Sequence, residues 1–188
     1  MKKAFFLDRD GTLNKEVDYL YRCEDMVLIE GAVEAVRRIH DAGFLAIVVS
    51  NQAGIADGRY KMEDVKILEK FICQEMAKQD PRGVPDAFYY CPHHPVRGVV
   101  KSLVQKCSCR KPEPGMLLQA QKDWDIDLAS SCMIGDKLGD VLAGIRAGCA
   151  VSALVKTGHG LEDLAEAEEG NYPVYEDILQ AVKSILHK

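Results

Sequence analysis

The chain predicts an α/β fold, a single doubly wound, Rossmann-like parallel sheet with helices on both faces and no separate cap domain. Three observations carry that expectation. Short β-rich apolar runs recur without polar alternation, segments of helical periodicity separate them, and glycines stand where those helices should end. Strands buried on both faces read as continuous apolar runs, and alternation of β and α along a chain builds a parallel sheet.

The elements follow in order. Ala4 to Asp8 and Phe44 to Ser50 form the first two strand-like runs, and between them Ala32, Val36 and Ile39 recur at helical spacing ahead of Gly43. That is a βαβ unit closed by a glycine at the helix end. Val65, Leu68, Ile72 and Met76 mark a second amphipathic helix, followed by a break at Pro81 to Pro85 and a strand at 86–90. Residues 91–113 show no periodicity, and an irregular stretch of that length needs special support inside a compact domain. Regularity returns with a helix from Pro114, a strand ending near Gly135, a helix ending at Gly148, a strand at Val151 to Val155 and a helix from Ile178 to Leu186. With 188 residues and no repeat or linker, one domain spanning 1–188 is expected, with the irregular loop at about 91–109 inserted in it.

Composition excludes several function classes. Hydrophobic residues make up 47% and charged residues 28%, and no segment approaches the ~20 apolar residues of a membrane helix. The apolar stretch after Lys2 and Lys3 ends at Leu7, short of the roughly 7 to 15 residues of a signal h-region, so a soluble cytoplasmic protein is expected. A net charge of -5 with scattered basic residues predicts neither a nucleic-acid nor a membrane partner, and a monomer is expected.

Chemistry concentrates at strand ends. Asp8-Arg9-Asp10-Gly11-Thr12 lies where the first strand runs out. Residues two apart in extended backbone point the same way, so Asp8 and Asp10 address one site while Gly11 permits the turn. Asp8 is suited to attack phosphorus, and Asp10 to protonate a leaving oxygen and later deprotonate water. Two carboxylates facing a phosphate require a cation, and Mg²⁺ takes carboxylates, waters and substrate oxygens. Asp136, in Gly135-Asp136-Lys137-Leu138-Gly139-Asp140, closes another apolar strand and brings a further carboxylate to the same sheet edge. Ser50 and Asn51 end the second strand there, offering a hydroxyl and an amide to phosphate, and Lys111 offers a positive charge for the phosphoryl group in flight.

The seven cysteines are odd in number, and Cys91, Cys107 and Cys109 cluster around the irregular loop. Cys91-Pro92-His93 and Cys107-Ser108-Cys109 offer three thiolates and an imidazole, the donor set of a closed structural zinc site, with His94 an alternative to His93. A structural Zn²⁺ would support the excursion that delivers Arg110 and Lys111.

The order DxDGT, Ser50, Lys111 and GDxxxD resembles the haloacid dehalogenase (HAD) superfamily of phosphohydrolases, over most of the chain. The resemblance implies Asp8 as nucleophile, Asp10 as acid/base, and Mg²⁺ held by Asp8, the Asp10 carbonyl and Asp136. Within the superfamily, CPHHP followed by CSCRKPEPGML is similar to the histidinol-phosphatase-like subgroup and, in it, to the heptose-bisphosphate phosphatases. That implies Zn²⁺ on Cys91, His93, Cys107 and Cys109, and substrate contacts from Glu16, Val17, Asp18 and Tyr19, from Ser50, Asn51, Gln52 and Ala53, and from Arg110, Lys111 and Lys137. The implied reaction removes the 7-phosphate of a D-glycero-D-manno-heptose 1,7-bisphosphate on the way to nucleotide-activated heptose. The chain departs from the pattern in NQAGIADG, where Ala53 and Asp57 replace a serine and an arginine. A cation exchanged for an anion there bears on which sugar, or which anomer, is accepted. Two other readings use the same residues: a histidinol-phosphate phosphatase, and a catalytically inactive, zinc-stabilised binding module.

Overall fold

A computed structural model describes residues 1–187 of the chain. The strands are β1 (Ala4–Leu7), β2 (Leu45–Asn51), β3 (Ala87–Cys91), β4 (Cys132–Gly135), β5 (Val151–Val155) and β6 (Val174–Tyr175). The helices are α1 (Ala32–Asp41), α2 (Met62–Gln79), α3 (Gly115–Trp124), α4 (Leu138–Ala147), α5 (Leu164–Glu169) and α6 (Ile178–Leu186). The strands form one sheet in the order β3-β2-β1-β4-β5-β6, and every pairing is parallel.

The apolar runs explain this arrangement. β1 is fully buried, and its side chains alternate between two cores. Phe5 and Leu7 pack with Val36 and Ile39 of α1, Leu68 and Ile72 of α2 and Val182 of α6, whereas Ala4 and Phe6 pack with Leu117 and Ala120 of α3 and Ala143 of α4. Burying a Phe or Leu side chain is worth about 1.5–3 kcal/mol, and a central strand that does so on both sides anchors both helical layers. The predicted helix ends hold: Gly43 has φ 78° just past α1, and Gly148 caps α4 at φ 88°, both left-handed.

Each predicted element is present, its ends shifted by at most a residue or two. Two elements were not anticipated. α5 buries only Ala167, so its acidic sequence carries no apolar stripe, and β6 is two half-buried residues long. The irregular loop contains one short 3₁₀ turn, Lys101–Leu103, and an isolated bridge between His94 and Val104. Among the described residues no helix is long and apolar enough to cross a membrane.

The sheet order reverses direction at β1, between β2 and β4, and ligands of open parallel sheets sit at such a switch point beyond the carboxyl ends of the strands. The backbone N–H of Asp8 donates to the Ile134 carbonyl at 2.9 Å, continuing the β1–β4 ladder one residue past the strand.

Candidate active site

Three carboxylates converge at that point. Asp8, Asp136 and Asp140 place one oxygen each within 4.8 Å of one another, all buried. Asp136 follows β4 directly. Asp140 reaches the cluster because α4 starts at Leu138, so its side chain turns back over the helix start and accepts from the Lys137 N–H at 3.0 Å. Asp140 was absent from the predicted site residues; its signal lay in the four-residue spacing from Asp136, which brings the two together only once the chain turns into α4.

Lys111 enters from the far side of the irregular loop. Its Nζ donates to Asp8 Oδ1 at 2.6 Å and to the Val49 carbonyl at 2.6 Å, and stands 2.7 Å from Asp140 Oδ1. Burial alone would lower its pKa, but Asp140 and Asp8 outweigh that cost and raise it, so the ammonium is permanent. Asn51 holds the backbone that carries it: its Nδ2 donates to the Lys111 carbonyl at 3.0 Å and its Oδ1 accepts from the Lys111 N–H at 3.1 Å. The amide expected to meet phosphate therefore engages a peptide unit at both ends.

The oxygens of the three carboxylates differ in what they have left. Both oxygens of Asp140 are engaged, one by Lys111 and one by the Lys137 N–H. Asp136 Oδ2 accepts from the His159 N–H at 2.8 Å, whereas its Oδ1 is buried without any partner among the described residues. Burial, with Asp8 and Asp140 close by, pushes the Asp136 carboxyl up to about 9. An orphaned buried carboxylate oxygen beside two more carboxylates fits a divalent cation on Asp136 and Asp8, with Asp140 serving the lysine. The fit extends to the backbone. Gly11 (φ 80°) and Gly158 (φ 58°) press on Asp136 so closely that a Cβ on either would fall 2.2 Å from Oδ2.

Asp10 sits one turn outward, accepting from Asn14 Nδ2 at 2.9 Å, Arg9 Nη2 at 2.8 Å and Gln52 Nε2 at 3.2 Å. Ser50 Oγ accepts from Gln52 Nε2 at 2.7 Å, leaving its own hydrogen for a ligand. The cleft in front has a volume of about 260 Å³, near the lower end of the ~300–1,000 Å³ of small-molecule pockets. Its walls hold Asp8, Asp10, Ser50 and Lys111, the loop residues Glu16, Val17, Asp18 and Tyr19, the segment Asn51, Gln52 and Ala53, and Arg110 and Lys137. Tyr60 and His159 also line it and were not foreseen from sequence. Glu16 Oε2 lies 3.7 Å from both Lys137 Nζ and His159 Nε2; burial and then Asp10 raise its pKa, against the opposing pull of Lys137.

Asp57 does not face the cleft as a bare anion. Its Oδ2 accepts from Tyr19 Oη at 3.1 Å and lies 3.8 Å from Arg97 Nη2, and Arg97 also donates to Tyr19 Oη at 3.2 Å. Among the described residues, Tyr19 is one of three non-glycine residues with positive φ, at 58°, and this clamp holds it there.

The thiol cluster is equally well formed. Cys91, His93, Cys107 and Cys109 bring their ligand atoms within 4.8 Å of one another, with sulfur separations of 3.1 to 3.6 Å and His93 Nδ1 3.4 Å from Cys109 Sγ. His94 lies outside this cluster, its Nδ1 accepting from the Arg97 N–H at 3.1 Å. Burial pushes the Cys91 thiol up, the cost a bound dication would remove. Three sulfurs and an imidazole nitrogen in one small shell suit tetrahedral Zn²⁺. Sheet register ties this cluster to the cleft: Asn51 pairs with Cys91 across β2 and β3, and the Gln52 N–H donates to the Cys91 carbonyl at 2.8 Å.

The chain is similar along most of its length to known proteins. Residues 108–181 match the HAD-hydrolase-like family. The D-glycero-alpha-D-manno-heptose-1,7-bisphosphate 7-phosphatase of Photorhabdus laumondii is 42% identical over 164 residues, covering 87% of this chain and 88% of that one. The D-glycero-beta-D-manno-heptose-1,7-bisphosphate 7-phosphatase of Escherichia coli K12 is 40% identical over 181 residues, covering 96% and 93%. The crystal structure of the B. bronchiseptica D,D-heptose 1,7-bisphosphate phosphatase complexed with magnesium and phosphate superposes with a TM-score of 0.84 at 32% identity, covering 98% of each chain. The carboxylate edge, the lysine and the similarity along nearly the whole length agree: this chain is a HAD-like phosphatase and belongs to the family of the heptose-1,7-bisphosphate 7-phosphatases.

Proposed function

We propose that this chain, as one phosphatase domain, hydrolyses the 7-phosphate of a D-glycero-D-manno-heptose 1,7-bisphosphate through an aspartyl-phosphate intermediate. The observation that carries the proposal is the convergence on Asp8: Lys111 Nζ at 2.6 Å on Oδ1, no hydrogen bond on Oδ2 among the described residues, and Asp136 Oδ1 unpartnered in the same cluster. In this reading the free Asp8 oxygen attacks phosphorus, the bond from phosphorus to the sugar oxygen breaks, and Asp10 gives that oxygen its proton. Water then attacks the aspartyl-phosphate while Asp10 takes a proton from it, releasing phosphate and restoring the Asp8 carboxylate. Lys111 and the Ser50 hydroxyl meet the phosphoryl oxygens; Arg110 and Lys137, both on the cleft wall, supply cations for the sugar bisphosphate, and the Glu16–Tyr19 loop holds the sugar. Arg110 is steadied by donating to the His93 carbonyl at 3.1 Å.

Asp8, Asp136 and the Asp10 carbonyl would hold Mg²⁺, which supplies charge neutralisation between carboxylates and phosphate when bound. Magnesium and phosphate in the B. bronchiseptica relative support this assignment. Cys91, His93, Cys107 and Cys109 would hold a structural Zn²⁺. The thiols stand free of disulfides, which suits a reducing compartment and supports action in the cytoplasm; we take the active unit to be a monomer.

The test is phosphate release with Mg²⁺ from both anomers of heptose 1,7-bisphosphate, histidinol phosphate and hexose phosphates, alongside Asp8→Asn. Preference for a heptose anomer, abolished by Asp8→Asn, is the expected result. Preference for histidinol phosphate would overturn the substrate assignment, and absence of turnover on every substrate would overturn the reaction.

A further inference from the structure

Gln52 lines the cleft, yet its side chain has no hydrogen-bonding capacity left for a ligand. The residue is 2% exposed. Its Nε2 donates to Ser50 Oγ at 2.7 Å and to Asp10 Oδ2 at 3.2 Å, and its Oε1 accepts from Tyr60 Oη at 2.7 Å and Arg9 Nη2 at 3.3 Å. A primary amide has two N–H donors and two acceptor lone pairs, and all four are used. The amide orientation is set by chemistry: the Arg9 guanidinium can only donate, so it must meet the oxygen, and the Asp10 carboxylate accepts, so it must meet the nitrogen. The Tyr60 phenol is pushed up to about 12, chiefly by burial, and so keeps the proton it donates.

Arg9 completes the frame. It is fully buried, lies between Asp10 and Gln52, and donates from Nη2 to the Leu20 carbonyl at 3.2 Å, tying the same group to the end of the substrate loop. A buried guanidinium is costly unless it is paired and hydrogen-bonded. Arg9 Nε and Nη2 both hold the Asp10 carboxylate, and Nη2 also reaches Gln52 and Leu20.

We infer that Gln52, held by Tyr60 and Arg9, is a positioning residue that orients the Asp10 carboxyl, and does not bind substrate. The inference rests on the assignment of Asp10 as the acid that protonates the leaving oxygen. Misplacing a general acid slows departure of a sugar alkoxide, which needs the proton, and spares departure of an acidic phenol, which does not.

The experiment uses the Mg²⁺-supplied enzyme, with heptose 1,7-bisphosphate and p-nitrophenyl phosphate as substrates, in Tyr60→Phe, Gln52→Met and Asp8→Asn, with a melting curve for each. Tyr60→Phe should lower kcat on the sugar about three- to tenfold and Gln52→Met about 30- to 100-fold, at unchanged KM. On the aryl phosphate kcat/KM should fall less than about twofold in Tyr60→Phe. A raised KM at wild-type kcat would make Gln52 a substrate ligand, and an equal fall on both substrates tracking a lower melting temperature would make the frame merely structural; each overturns the inference. Wild-type kcat in both variants, with turnover still lost in Asp8→Asn, overturns it while leaving the site assignment intact. Turnover that survives Asp8→Asn overturns the site assignment itself. Should Gln52→Met fail to fold, Tyr60→Phe, which deletes one hydroxyl, decides alone.

Discussion

Lys111 Nζ stands 2.7 Å from Asp140 Oδ1, and the two side chains are 3% and 4% exposed. A buried ion pair broken by removal of one partner leaves an uncompensated charge, at a cost of about 3–5 kcal/mol. Lys111→Met leaves both Asp8 and Asp140 without their cation and takes a positive charge from the phosphoryl group. It is expected to reduce kcat at least ~100-fold and lower stability by about 3 kcal/mol, read from phosphate release and urea denaturation. Asp140→Asn should cost kcat without loss of Mg²⁺ affinity, because Asp140 has no free oxygen; a raised Mg²⁺ requirement would contradict that division between Asp136 and Asp140.

Asp57 stands where the subgroup pattern has an arginine, and the clamp with Tyr19 and Arg97 answers what that exchange does. The anion is spent on holding the substrate loop. Asp57→Ala should raise KM for the sugar about three- to tenfold with kcat within about twofold, since Tyr19 loses its tether and the carboxylates keep theirs. Restoring the pattern with Asp57→Arg should be worse, placing a cation against Arg97 and Arg59, whose guanidinium lies 4.0 Å over the Tyr19 ring.

The thiol cluster predicts about one zinc per chain by elemental analysis, sensitive to Cys109→Ser. Because Cys91 is hydrogen-bonded through its carbonyl to Gln52, and Arg110 and Lys111 follow Cys109 directly, metal loss should abolish turnover at saturating Mg²⁺. A Cys109→Ser enzyme that kept wild-type kcat would show the loop to be independent of the cleft.

His40 gives a pH dependence remote from the site. Its Nδ1 faces the Arg82 carbonyl at 2.7 Å and its Nε2 faces Asp86 Oδ2 at 2.9 Å, so both nitrogens need a proton. The Asp86 hydrogen bond raises the pKa above 6.5, whereas Asp86, whose own burial works the other way, is lowered by His40 and the Ala46 N–H. The His40 contribution is therefore complete below pH ~6.5 and lost as pH rises through the raised value. That of Asp86 holds above its ordinary 3.8 and is lost only in acid. Melting temperature should fall from pH 6 to pH 8.5 by more in the wild type than in His40→Gln; equal slopes would remove His40 as the source.

What was legible from sequence follows physical range. Asp8, Ser50 and Asp136 were readable because each closes an apolar run, and a parallel sheet puts all such ends on one edge. The cluster of Cys91, His93, Cys107 and Cys109 was readable because three cysteines and a histidine group around one irregular loop, and Lys111 because it follows them directly and falls in order with the strand-end residues. The frame around Asp10 was not: Arg9, Gln52 and Tyr60 meet only after β1 and the turn beyond β2 are packed side by side, and a buried glutamine carries no pattern. Asn51 was assigned to phosphate from its position; it lines the cleft, but its side-chain partners are peptide groups 60 residues away. His159 was invisible for a related reason, since its contribution to Asp136 is a backbone N–H and any residue supplies one.

The contact of Gly11 and Gly158 on Asp136, reinforced by Thr157 Oγ1 donating to the Gly11 carbonyl, has a consequence for how the protein comes into being. During synthesis Asp8 leaves the ribosome well before the turn that seats Asp136, which is made after β5 is complete. Asp8 is thus carried through the synthesis of β2 to β5 without the turn that seats Asp136. Competence should arrive abruptly, when the 157–159 turn closes, and not grow with chain length.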